Sequence, residues 1–406
     1  MNKEKPNSRF GKFVNKWSTD KASAIFTIET DKGHPDLPVL SASQELGMIH
    51  RVNIGINMQY SKKNVDSYKR VLPGRFVIHL RSFQGGFAHS TIEGITSPAY
   101  TVLALKEPEK HDDFFWKYSF TSPEFIKRLE IVTYGIRDGR SISVDDFFDL
   151  PFTFPSTPEE QREIAQFFTQ IDTLISAEEQ KVVRLKNMKA ASLEKMFPRK
   201  GNLIPEVRLK GFSGEWKECK LEEISNKVNE KNISSSIQEV FTNSAEFGVL
   251  SQRDYFNHDV ANAKNVYGYY VVRPNDFVYN PRMSVTAPVG PINRNKLERV
   301  GIMSPLYYVF RTHDINVMYL EYYFKTKHWY SFMYNNGDNG ARGDRFSIKN
   351  EVFTKMPIPY PSLEDEQIAI ANYFSRLDTL IAAHEQKVAK LRNMKKSFLE
   401  RMFVTA

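Results

Sequence analysis

The sequence predicts a duplicated α/β (or α+β) chain, with two globular halves separated by two long helices that pair as an antiparallel coiled coil with internal pseudo-twofold symmetry. Three observations carry this. Pro158 to Phe197 returns at Glu364 to Phe403 with more than half of its positions identical, including the unbroken strings DTLI and EQKV. Both copies hold an apolar repeat that alternates by four and three residues, the signature of a coiled-coil seam. Short strand and turn signals recur at matching places in the rest of each half. The offset, roughly 206 residues, is far longer than the 20 to 50 of stacked solenoid units, so the chain is two copies of one module.

Bulk properties narrow the classes of function. At 406 residues the chain is long enough for two or more domains with separate cores. A net charge of +8 makes a polyanionic partner plausible, although it also serves solubility. The single cysteine, Cys219, excludes an internal disulfide framework and fits a reducing compartment. No run of about 20 apolar residues occurs, and the opening residues lack an apolar signal core, so a cytoplasmic location without a membrane is expected.

In the first half, the polar opening is expected to be loose as far as Trp17, yet Pro6, Arg9 and Trp17 recur at identical spacing as Pro205, Arg208 and Trp216. LPVLS at Leu37 to Ser41 reads as a strand with FGVLS at Phe247 to Ser251 as its counterpart. VLPGRFVIHL and VVRPNDFVYN each put a Pro-led turn before a strand, bringing Arg75, Arg81, Arg273 and Arg282 close to turns. GITSPAYTVLAL and GIMSPLYYVF each run from a Ser-Pro turn into an aromatic and β-branched strand. Phe114 to Val132 reads as helix, matched by Val317 to Tyr334, with aromatic stripes suited to a core. A glycine-rich basic turn follows in each half, YGIRDGRSIS and NGARGDRFSI. Arg137, Arg140, Arg342 and Arg345 there offer forks for phosphate or for guanine O6 and N7; the competing reading is a solvated turn.

The seam of the first helix is Ile164, Phe168, Ile171, Ile175, Glu178, Val182 and Leu185, and that of the second is Ile370, Phe374, Leu377, Ile381, His384, Val388 and Leu391. Glu178 and His384 hold equivalent polar positions, suited either to a register-fixing contact or to solvent. Thr157 and Ser362 are candidate N-caps, with acidic first turns behind them. The expected domains are 1–157 and 201–362, with spacer helices at 158–200 and 363–406.

Enzymatic motifs are missing. There is no GxxxxGK[ST] loop, no HExxH and no GxSxG, and Asn280 to Met283, NPRM, reads as a strand-to-turn boundary. No catalytic, cofactor-binding or metal-ligating residues are therefore assigned.

The duplicated helix motif, EQREIAQFFTQIDTLISAEEQKVVRLKNMK at Glu160 to Lys189 with its second copy at Glu366 to Lys395, together with GFSGEW at Gly211 to Trp216 and the Ser-Pro-x-Tyr turns at Ser97 and Ser304, resembles the DNA specificity subunit of type I restriction-modification systems. The resemblance implies two target recognition domains, each reading one part of a split, asymmetric sequence in double-stranded DNA. It implies two modification subunits docked on the helices, methylating adenine with S-adenosylmethionine, and restriction/translocase subunits using ATP and Mg2+. By that resemblance this chain binds no cofactor and catalyses nothing. Two other readings compete: a scaffold that recruits proteins without nucleic acid, and a methyltransferase that binds S-adenosylmethionine unaided.

Overall fold

The computed structural model describes residues 6–43, 46–54, 62–78, 86–129, 133–134, 141–256, 263–340 and 343–404. It divides into two units, Met1–Gln180 with Glu385–Ala406, and Lys181–His384. Each unit therefore holds one globular half and a stretch of both long helices, Pro158–Lys195 and Glu364–Met402.

The first unit is built on a four-stranded antiparallel sheet in the order Phe26–Glu29, Thr101–Leu105, Phe76–Ile78, Phe87–His89. Side chains of a strand alternate between faces, and here both faces are buried. Phe76, Ile78, Phe87 and Leu103 enter a large aromatic core, whereas Val77, Ala88 and Val102 enter a small aliphatic one beneath the hairpin Leu40–Ser43/Gly47–His50. The large core centres on the helix Asp113–Thr121, whose Trp116 is fully buried against Phe26, Phe152 and Phe154. Truncating such a side chain costs about 3–5 kcal/mol.

The second unit repeats this plan. Its sheet runs Ser225–Lys227, Tyr308–Thr312, Phe277–Tyr279, Ile292–Arg294, with Phe277, Tyr279, Ile292 and Phe310 in the aromatic core and Val278 and Val309 in the aliphatic one. The Pro-led turns before the third strands match as well. Gly74 has φ +81° and Asn275 φ +71°, the left-handed region that glycine and asparagine tolerate best.

In both units the long helices pack antiparallel. Within the first, Phe167 meets Phe398, Phe168 meets Phe403, and the Lys387 ammonium reaches buried Glu178 at 2.9 Å. Within the second, Phe197 stacks on Phe374 and Ser192 meets the Tyr373 hydroxyl at 2.9 Å. Seam residues Ile164, Phe168, Ile171 and Ile175 are buried with the first core, and Ile370, Phe374 and Leu377 with the second; Ile381 is buried too. Val182, Leu185, His384, Val388 and Leu391 are half-buried.

Three local expectations change. The polar opening is fastened, not loose: Arg9 forks onto Glu160 at 2.5 and 2.6 Å, the Trp17 indole donates to the same carboxylate, and Ser8 N–H donates to the Arg401 carbonyl. Glu160 is only 1% exposed, and a buried carboxylate is retained only where charged and polar donors replace its water. Arg208, Trp216 and Glu366 repeat the arrangement, so the spacing of Pro6, Arg9 and Trp17 marks a clamp.

Second, LPVLS and FGVLS are not counterparts. LPVLS leads into the first strand of its hairpin and FGVLS forms the second strand of its own; Val39 and Val240, which make equivalent bridges to Ile95 and Ile302, give the true alignment. Third, the expected helix from Phe114 is two helices, Asp113–Thr121 and Pro123–Leu129, broken at extended Ser122 because the residue before proline disfavours the helical region. Its partner is likewise split, into Val317–Phe324 and Tyr330–Asn336.

Candidate nucleic-acid interface

A concave site lies in the second unit, where strand Phe277–Tyr279 ends and the chain turns out through Asn280, Pro281 and Arg282. A cleft of about 700 Å3 opens there, bounded by the hairpin Phe241–Ser244/Gly248–Ser251, by Ser304 to Tyr307 of the Ser-Pro turn, and by Arg345 from the glycine-rich turn. Four segments distant in sequence thus line one cleft, whose surface is polar and apolar in equal parts.

Asparagines hold the cleft wall in place. Buried Asn243 donates to the Val278 carbonyl at 2.7 Å and accepts from Asn293 at 2.7 Å. Asn280 donates to the Asn243 carbonyl at 2.8 Å, and its side-chain oxygen accepts from the Arg282 backbone N–H at 3.0 Å. Lys325 donates to Asn293 at 3.1 Å, and burial holds its ammonium below lysine's ordinary range. Gly290 closes the loop at φ +82°, where an added Cβ would stand 2.1 Å from the Asn280 carbonyl oxygen. The loop is therefore fixed from below by satisfied amides and leaves its outer groups turned to the cleft.

Of the eight arginines singled out in the sequence, Arg282 and Arg345 come together on this cleft. They form an antiparallel backbone bridge, reinforced by the Phe346 N–H to the Pro281 carbonyl at 2.8 Å and the Met283 N–H to the Asp344 carbonyl at 3.0 Å. Both side chains are exposed, and among the described residues no ion pair engages either guanidinium. Two cations carried on paired backbone and without an ion-pair partner among the described residues favour an anion, with Glu246 the one acidic side chain in the cleft lining.

The other described arginines are committed elsewhere. Arg75 forks onto Glu29 at 2.7 and 2.8 Å, and Arg273 onto Glu230 at 2.8 and 3.3 Å. Arg81, Arg137, Arg140 and Arg342 lie outside the described residues.

Thr242, Asn243 and Gln252 escaped the sequence reading, which followed charge, and Asn280 and Tyr307 entered it only as parts of a strand-to-turn boundary and a Ser-Pro turn, not as site residues. The Thr242 hydroxyl meets the Tyr307 hydroxyl at 3.3 Å on the cleft wall. The available signal was Asn280 at the head of NPRM, a polar residue closing an otherwise apolar strand. The Asn243 and Asn280 amides are spent on the hydrogen bonds above, which leaves Gln252 as the lining amide able to match an adenine edge as arginine matches guanine. Among the described residues no group of three or more His, Cys, Asp or Glu could hold a metal ion, and no helix is long and apolar enough to cross a membrane.

These features define a duplicated α/β protein on paired long helices, with an arginine-edged cleft in its second unit. Residues 213–393 match the family model described as Type I restriction modification DNA specificity domain. In fold, the chain is similar to the type I restriction-modification S subunit from M. genitalium, at 13% identity and TM-score 0.56 over 98% of this chain and 99% of that one. It is also similar, at 16% identity and TM-score 0.55 over 95% and 97%, to a chain from a structure of complex assembly and conformational transition in the type I R-M system. No curated protein sequence matches it. Over residues 213–393 the chain is thus similar to the type I restriction modification DNA specificity domain, and its fold along nearly the whole chain is similar to that of type I restriction-modification S subunits.

Proposed function

We propose that this chain reads a bipartite, asymmetric target in double-stranded DNA, one part through each globular half. Target recognition domains are assigned to 1–157 and 201–362, and spacer helices to 158–200 and 363–406. The helices dock two modification subunits that bring S-adenosylmethionine, and the full complex adds restriction/translocase subunits with ATP and Mg2+, in the cytoplasm. The observation that carries this reading is the pairing of Arg282 and Arg345 on a cleft, an arrangement suited to phosphate at its rim and purine edges within. Arg81, Arg137, Arg140 and Arg342 are kept as further DNA-contact candidates; Arg75 and Arg273 join them only where DNA competes with Glu29 and Glu230.

Methylome sequencing of cells carrying the assembled system, with and without this chain, tests the reading. A split adenine-methylated motif present only with the chain is expected. Unsplit motifs, or methylation independent of the chain, would overturn it.

A further inference from the structure

Each unit contains the same three-residue tie, built from the most faithfully repeated strings of the two long helices. In the first unit Asp172, from DTLI, accepts from the Tyr118 hydroxyl at 2.9 Å through one oxygen and takes the Lys395 ammonium at 2.5 Å on the other. The Lys395 ammonium also lies over the Tyr118 ring, 5.3 Å from its centre. In the second unit Asp378 accepts from the Tyr322 hydroxyl at 2.9 Å and pairs with Lys189, whose ammonium stands 5.7 Å from the Tyr322 ring centre.

Each tie joins three elements of its own unit. The tyrosine belongs to the globular half, on Asp113–Thr121 or Val317–Phe324; the aspartate and lysine belong to the two long helices. We infer that these two Tyr-Asp-Lys ties are positioning devices that set how each recognition domain is held on the helix pair, and hence how strictly the protein demands one spacing between the parts of its target.

Stability does not account for them. The Asp172 and Asp378 side chains are 33% and 41% exposed, where ion pairs are screened and contribute little. The apolar seam already holds the helices together, with Phe168 and Phe374 fully buried. What the tie adds is direction. A tyrosine hydroxyl, a carboxylate with both oxygens engaged and an ammonium fixed over a ring restrict rotation and sliding of the domain on the helices, which greasy contacts alone allow. In the first unit Thr169 stands 3.2 Å from the Tyr118 hydroxyl as a further partner. A domain held this stiffly meets a displaced half-target with strain, and a loosened one yields to it.

This inference rests on the bipartite reading above. The test uses the complete methyltransferase assembled with this chain, on DNA duplexes carrying its own target with the spacer unchanged, one base pair longer and one shorter. The variants are Tyr118→Phe, Tyr322→Phe, Asp172→Asn and Asp378→Asn. The quantity read is the ratio of methylation rates on the correct and altered spacers. A fall of about tenfold is expected, the scale of one lost hydrogen bond to a charged group, with the rate on the correct target within about twofold of the parent.

A ratio unchanged in both Tyr→Phe variants and in whichever Asp→Asn variants fold would overturn the proposal, since Tyr→Phe keeps the ring packing and removes only the hydroxyl. A loss of rate on all three duplexes in equal proportion would also overturn it, assigning the tie a purely structural role. If the parent complex fails to discriminate spacers at all, the bipartite reading itself falls.

Discussion

The two globular halves are alike where they grip the helices and unlike where they face outward. Glu160 and Glu366 each take an arginine fork and an indole, and the neighbouring Gln161 and Gln367 each accept a backbone N–H at 2.9 Å, from Asp112 and Asn316, and donate to a proline carbonyl at 3.0 Å. At the Pro-led turn the polarity reverses. The first half places Arg75 there, paired with Glu29; the second places buried Asp276, which binds Arg311 at 2.7 and 3.0 Å and raises that guanidinium's pKa through the hydrogen bond. A frame can be copied unchanged while the surface it presents is free to diverge, provided each buried charge keeps an opposite partner.

The largest expected effect tests the shared frame. Glu160→Ala and Glu366→Ala each strand an arginine and an indole at a buried site, and each should lower stability by about 3–5 kcal/mol in urea unfolding. Equal losses would sharpen the likeness of the halves; loss in one alone would break it. Next, Asn243→Ala removes the amide beneath the cleft and should cost about 1–3 kcal/mol, with methylation impaired through one part of the target only.

Arg282→Ala and Arg345→Ala should leave unfolding unchanged and weaken duplex DNA binding by the assembled complex by about 1–3 kcal/mol each where a base is read, or reduce the salt slope by about one unit where a phosphate is held. Arg75→Ala should do less to binding, because its guanidinium already faces Glu29. The smallest effect concerns Cys219, whose thiol is pushed up to about 11 by burial and by nearby Glu223 and Glu218. The reactive thiolate is scarce at pH 8, so alkylation of the native protein should be slow there and rise towards pH 11, as mass spectrometry would record.

Much of the frame was legible because repetition amplified weak signals. Pro6, Arg9 and Trp17 mean little singly; their recurrence marked a repeated lead-in, but the clamp they form was not foreseen and the opening was expected to be loose. The burial of that clamp was not legible, since glutamates in a helix's first turn ordinarily face solvent and favour the dipole. The cleft was harder still. It joins residues near 243, 282, 305 and 345, and only the β pairing brings them together; charge alone put Arg75 and Arg345 in one class, although one is bound to Glu29 and the other stands open. The misaligned hairpin has the same origin, because VLS occurs in both halves by composition while register is fixed by partners elsewhere in the sheet.

The division of the chain into units also bears on the order in which they are made. The second unit is one continuous stretch, Lys181–His384, so everything its core needs has left the ribosome soon after residue 384. The first unit is translated earlier yet cannot be finished earlier, because Leu399, Met402 and Phe403 belong to its core. Until those residues emerge, the aromatic surface around Phe115 and Phe168 stays uncovered. The half synthesised first is thus the last to close, and a ribosome stalled before residue 399 would release a protein folded at its second unit and open at its first.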